Sequence, residues 1–191
     1  VIHSLGLIDN LKAALAADGV AYTVFDDTVA NPTVDNVEAA RALYLEQGCD
    51  ALVAFGGGSS MDCAKAAGAR IVKPRQPVAK MRGILRVRKR LPLLVAVPTT
   101  AGTGSETTLA AVITDSATHY KYPINDFPLI PRVAVLDYRT TLGLPKQVTS
   151  TTGIDALVYA VEAYIGRSTT KETRANAENA GRLIRAVLNC A

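Results

Sequence analysis

The feature that most constrains this chain is a junction near its first third. "ALVAF", Ala51–Phe55, runs directly into Gly56, Gly57, Gly58, Ser59 and Ser60. Five consecutive apolar residues without alternation suit a strand buried on both faces of a parallel sheet. A helical pattern of small residues follows from about Ser60 to Ile71. Glycines there serve either a tight strand-to-helix turn or a backbone that must approach a ligand closely, and glycine composition alone leaves both readings open.

The same alternation extends on either side. Leu7, Ile8, Leu11, Ala14 and Leu15 fall on one helical stripe that Gly19 terminates. "AYTVF", Ala21–Phe25, is β-branched and aromatic and predicts a short strand. Asp35 and Glu38 have the spacing of a capping box, and Val37, Ala40, Leu43 and Tyr44 carry the next helix to Gly48. "LPLLVAVPTT" predicts another buried strand, "AAVITD" and "HYKYPI" an antiparallel ribbon, and "RVAVLD" one more strand of the main sheet. Alternating helices and strands define an α/β class with a doubly wound, mostly parallel sheet. From Pro145 strands stop. Two helices follow, with stripes Leu157, Ala160, Val161, Tyr164 and Leu183, Ala186, Val187. The expected division is an α/β domain over 1–144 and the beginning of an incomplete helical domain over 145–191.

Composition narrows the classes. At 191 residues, 49% hydrophobic and 20% charged, the chain holds one sizeable domain, or one domain and part of another, and is not of the disordered type. Its net charge of +4 owes much to Lys73–Arg90, a stretch rich in Lys and Arg with no acid. A solvated surface loop and a phosphate or nucleic-acid patch are both compatible with it. It lacks interleaved aromatics that stack on bases, so no nucleic-acid partner is expected. Cys49, Cys63 and Cys190 are odd in number and far apart, which points to a reducing compartment rather than a disulfide framework. With no long apolar run, no membrane segment is expected and a cytoplasmic location is. The first residue is Val1 rather than Met, as expected of a portion of a longer product.

In open parallel sheets, ligands bind beyond the carboxyl ends of the strands. Gly56–Ser60 lies at one such end and leads into a helix, whose free N–H groups and positive end favour an anion such as phosphate. "PTTAGTGSETT", Pro98–Thr108, lies at another end and is crowded with threonines, a serine and two glycines. Exposed amides and hydroxyls on two neighbouring strand ends suit a diphosphate and its ribose. Neither loop ends in the Gly-Lys-Ser/Thr of a P-loop.

Together "GGGSSMDCAK", "PTTAGTGSE" and "GIDALVYAVEAYI" resemble the iron-containing, group III alcohol dehydrogenases, with "NPT" at Asn31–Thr33 and "INDFPLIPRVAVLD" at Ile124–Asp137 agreeing in order. The resemblance covers essentially the whole chain. It implies a dehydroquinate-synthase-like fold: a Rossmann-like NAD(P)-binding domain, then an all-helical domain, with a divalent metal between them. It implies metal-assisted hydride transfer between a small alcohol or aldehyde and NAD or NADP. A homo-oligomer is expected from the last two helices, where Leu157, Val161, Leu183 and Val187 lack evident partners. By resemblance, Gly57, Gly58 and Ser59 bind the pyrophosphate and Asn31 lies near the adenosine end. Thr99, Thr100 and Thr103 form the second cofactor loop, and Lys121 contacts the ribose. Asp62 and Lys65 also match, with a helix-capping or surface ion pair as the ordinary alternative. Asp155 matches the first ligand of an Fe²⁺ or Zn²⁺ site.

One departure bears on the metal. The histidine expected four residues after Asp155 is Tyr159. Residues at i and i+4 share a helix face, but a phenol with a pKa near 10 is a poor ligand beside an imidazole. His3 and His119 fall outside the metal motif and are expected at the surface. No side chain here is a convincing general base. Two other readings stay open: a degenerate, non-catalytic nucleotide-binding module, and a scaffold that associates with itself.

Overall fold

A computed structural model describes residues 6–188. The expectations for His3 and Cys190 fall outside the described residues. Contacts divide the chain into two compact units: residues through Thr99 with Ser105–Asp137, and Thr100–Gly104 with the chain from Tyr138 onward.

The first unit opens with α1 (Asp9–Ala17), none of whose residues is fully buried, and continues with α2 (Val34–Glu46). Thr33 caps α2: its hydroxyl accepts from the Asn36 N–H at 3.2 Å while the Asn36 side chain accepts from the Thr33 N–H at 3.1 Å. This replaces the box expected from Asp35 and Glu38. Glu38 instead turns to α3, where it pairs with Arg70, a side chain that also donates to the Lys73 and Gln76 carbonyls at 2.8 and 2.9 Å.

Next come β1 (Ala51–Gly56), α3 (Gly58–Val72), β2 (Gly83–Ile84), β3 (Leu93–Pro98), β4 (Ala110–Thr114), β5 (Lys121–Asn125) and β6 (Val133–Ala134). One sheet has the order β1-β3-β6, all parallel, with Ala51–Gly56 in register against Leu93–Pro98. The expected antiparallel ribbon forms as β4 against β5, and β2 joins β5 in parallel to make the second sheet. The larger core gathers Val37, Ala66, Ile113, Ile124 and Leu129, all fully buried, between α2, α3 and the second sheet. A smaller one, of Ala54, Met61, Leu94 and Ala96, seats α3 on β1 and β3.

Two expectations change here. The run Ala21–Phe25 is not a strand, and residues 20–29 belong to no ladder. A strand exists only through its partner's hydrogen bonds. A cavity of about 300 Å³, lined by Tyr22, Val24 and Phe25 on one side and Leu52, Val53 and Phe55 on the other, separates this run from β1. The basic stretch, for its part, is more than a solvated loop. Its cations are mostly exposed, but Val78, Met81 and Val87 are fully buried, and it contains β2 and a single 3₁₀ turn at Val78–Met81. The carboxylate of buried Asp126 fixes it by accepting from the Val87 and Arg88 amides at 2.8 and 2.9 Å.

The second unit holds α4 (Lys146–Ile165) and α5 (Lys171–Leu188), packed on each other. Gly153 permits their close approach, since a Cβ there would stand 2.5 Å from Leu188 Cδ1. Ala160 and Ala177 are buried, whereas Val161, Ile165, Leu183 and Val187 are each at least half exposed. Among the described residues, no helix is long and apolar enough to cross a membrane.

Candidate functional site

The glycine junction becomes a sharp turn that leaves backbone amides uncapped at a helix start. Gly56 ends β1 at φ +146°, a conformation that side chains rarely adopt, and so turns the chain sharply into α3. Gly57 caps α3 without a side chain, and no acid lies in the first turn. Ser60 and Met61 donate back to the Gly57 carbonyl at 3.1 and 3.3 Å, which leaves the Gly58 and Ser59 amides without an intrahelical acceptor. α3 starts two residues before the expected position, placing Gly58 and Ser59 in its first turn.

Two more expected residues bond to this turn, and a third lies on the ribbon tied to the Asn31 segment. Asn31, at φ +58°, donates its amide to Ser59 Oγ at 3.3 Å; asparagine is among the few residues that tolerate that backbone. Thr99 is buried and its amide donates to the Gly56 carbonyl at 2.9 Å, so the second loop leaves β3 from beside the first. Lys121 is exposed and faces Thr114 across the ribbon, and the Thr114 amide donates to the Pro32 carbonyl at 2.9 Å. The topology thus ties the Asn31 segment, the glycine turn and the start of β5 to one end of the first unit. Thr100 and Thr103 belong to the second unit, and the Thr100 hydroxyl is buried without a partner among the described residues.

Asp62 and Lys65 face inward rather than forming a surface ion pair. Asp62 accepts from Ser105 Oγ and the Val112 amide, each at 3.0 Å, and burial raises its carboxyl above the usual range despite those bonds. Lys65 is fully buried, and its Nζ donates toward Ser105 Oγ at 3.1 Å and toward Thr108 O, Thr108 Oγ1 and Ala110 O at 2.9 Å each. Burial lowers its pKa to about 8, against the pull of Asp62 and Glu106. Sequence reasoning did not find this hub of Ser105, Thr108 and Ala110. The available signal was that Lys65 occupies the i, i+4 stripe between Met61 and Ala69, an apolar position for a charge.

Asp155 lies partly buried on α4, one turn before half-exposed Tyr159. Among the described residues no cluster of three or more His, Cys, Asp and Glu is placed to hold a metal. A single carboxylate beside a phenol does not fit an Fe²⁺ or Zn²⁺ centre, which typically takes about three or four protein ligands. The amide-rich turn with its capless helix start does fit a dinucleotide phosphate.

A parallel three-stranded sheet, a glycine turn opening a helix and a hydroxyl-rich neighbouring loop define a Rossmann-like α/β unit. The chain belongs to the iron-containing alcohol dehydrogenase family, which matches residues 1–138. It is 45% identical over 172 residues to the probable alcohol dehydrogenase EutG of Salmonella typhimurium, covering 90% of this chain and 43% of that protein. It is 38% identical over 183 residues to the NAD-dependent methanol dehydrogenase of Bacillus methanolicus, covering 96% of this chain and 48% of the other. Among solved structures, the alcohol dehydrogenase from Oenococcus oeni superposes with a TM-score of 0.92 at 37% identity, over 96% of this chain and 48% of that one. The chain thus spans about half the length of the relatives it matches.

Proposed function

We propose that the protein interconverts small alcohols and aldehydes with NAD or NADP, and that this chain supplies the cofactor-binding part. The observation that carries the reading is the start of α3, where the Gly58 and Ser59 amides stand free of intrahelical acceptors and Ser59 is tied to Asn31. When bound, the nicotinamide cofactor accepts or delivers the hydride. Gly57, Gly58 and Ser59 would hold its pyrophosphate through backbone N–H groups. Asn31 would lie toward the adenosine, Lys121 toward a ribose, and Thr99, Thr100 and Thr103 would offer hydroxyls and amides. Asp62 serves from behind, because both its oxygens hold Ser105 and Val112. No step through a metal follows from these residues, since no further ligand of the right type joins Asp155 among the described residues.

A second reading, a nucleotide-binding module without catalysis, is favoured by the phenol of Tyr159 standing at the metal motif's histidine position. A homo-oligomer in the cytoplasm completes the proposal, supported by the apolar side chains exposed on α4 and α5 and by the free thiols of Cys49 and Cys63.

Titration calorimetry with NADH tests the cofactor reading. Gly58→Val places a branched side chain beside the phosphate seat and should abolish binding while circular dichroism stays unchanged. Equal affinity in the variant and the wild type would sink it.

A further inference from the structure

We propose that Lys65 is a positioning residue for the dinucleotide, fixing the chain where it returns from the hydroxyl-rich loop to the helix that carries the glycine turn. The loop's departure point is held by the Thr99 amide on the Gly56 carbonyl at 2.9 Å. Its return is held by Lys65 Nζ, whose four oxygen partners at Ser105, Thr108 and Ala110 span six residues of chain. Both anchors sit on one continuous piece, the end of β1 and the first two turns of α3, so Thr99 and the segment 105–110 are registered to the glycine turn through α3. The arrangement is internal. Lys65 is fully buried and its four partners are protein oxygens, so it acts on a ligand only through the segment it holds.

An ammonium offers three N–H groups to four acceptors here, and a neutral amine offers two. The charge-bearing groups acting on Lys65 are Asp62, on its own helix, and Glu106, on the held segment. Asp62 reaches it through Ser105, which donates to Asp62 and accepts from Lys65. Burial of the charge holds this pKa down, so loss of the proton above pH of about 8 removes one donor but relieves the buried charge, and the closed hub gains over an opened one as pH rises. This inference rests on the cofactor reading, but the hub can be tested without the cofactor.

The test compares wild type, Lys65→Met and Thr108→Val by two measurements. Hydrogen-exchange protection of residues 105–112 reads the hub itself. NADH affinity by calorimetry from pH 6.5 to 9.5 reads its consequence. Lys65→Met should lose protection across this segment and weaken NADH about tenfold at pH 7, the effect of one hydrogen bond to a charged group. Wild-type protection and affinity should rise as pH climbs from about 8, and the variant's should show no such rise. Thr108→Val, which removes one hydroxyl and leaves the carbonyl, should move both readouts in the same direction by less. It guards against a Met variant that fails to fold. Lost protection with unchanged NADH affinity and an unchanged pH profile would overturn the positioning role while leaving the cofactor reading intact. A wild-type chain with a protected segment that binds no NADH would overturn the cofactor reading, and the positioning role with it.

Discussion

Gly68 shows how one missing side chain sets the seat of a helix. A Cβ at this position would stand 2.8 Å from Leu91 Cδ2, 3.0 Å from Leu91 Cγ and 3.4 Å from Leu52 Cδ1, and Leu91 is itself buried. Alanine is the better helix former by about 1 kcal/mol, yet overpacking a filled core costs about 1–3 kcal/mol. Gly68→Ala should therefore lower the melting temperature. Gly181 on α5 has nothing within 4 Å of the same atom, so Gly181→Ala should stabilise by about 1 kcal/mol from propensity alone. Thermal melts of the two variants check this, and a stabilised Gly68→Ala would show that Leu91 yields freely. At this scale, the glycine turn and Asn31 were legible because an unusual backbone selects few residue types. Lys65 was harder to read, because its burial depends on oxygens 40 to 45 residues away.

Within α3, two buried groups make the element's stability depend on pH in opposite ways. Burial raises the Cys63 thiol from 9.0 to about 11, so its contribution is complete below pH 9 and is lost as pH climbs toward 11. Burial lowers Lys65 from 10.5 to about 8, so the folded state binds fewer protons between those values; this group's contribution rises from pH 8 to 10.5 and is lost as pH falls through 8. Each window is worth roughly 3 kcal/mol at about 1.36 kcal/mol per pH unit. Stability profiles by urea unfolding should separate them: the Lys65→Met variant lacks the gain that begins near pH 8, and Cys63→Ala lacks the loss that begins near pH 9. Profiles parallel to wild type in both variants would refute the assignment. The elements themselves follow their patterns unevenly. β1 and β3 appear where continuous apolar runs stand, but α3 covers one face of them, and Val53 and Leu93 stay 45% and 42% exposed, so the burial on both faces that such runs predict is incomplete. Ala21–Phe25 has strand-like composition without a ladder, because composition supplies propensity and only a neighbouring backbone supplies hydrogen bonds.

Across the whole molecule, the helices of the second unit leave apolar surface uncovered. Val158, Val161, Ile165, Leu183 and Val187 are 46% to 69% exposed. Apolar surface of this kind marks an interface or an aggregation liability, so the chain should associate with itself. Light scattering should show mass rising with concentration, and Val161→Glu with Leu183→Glu should return it to a monomer; a monomeric wild type over a wide range would count against this. The amino-acid sequence by itself determined the α/β class, the places of β1 and β3 and the loops expected to face a ligand. Those signals are local: apolar continuity, turn glycines and helical spacing act over a few residues. Tertiary structure alone decided that Thr33 rather than Asp35 caps α2, where the fixed turn brings Asn36 within reach of its hydroxyl. It also decided that Glu38 binds Arg70 and that Lys65 becomes the hub of a distant segment. Each of these depends on where the fold brings a partner within about 3 Å, and a buried polar group takes whichever partner the packing leaves in place of water.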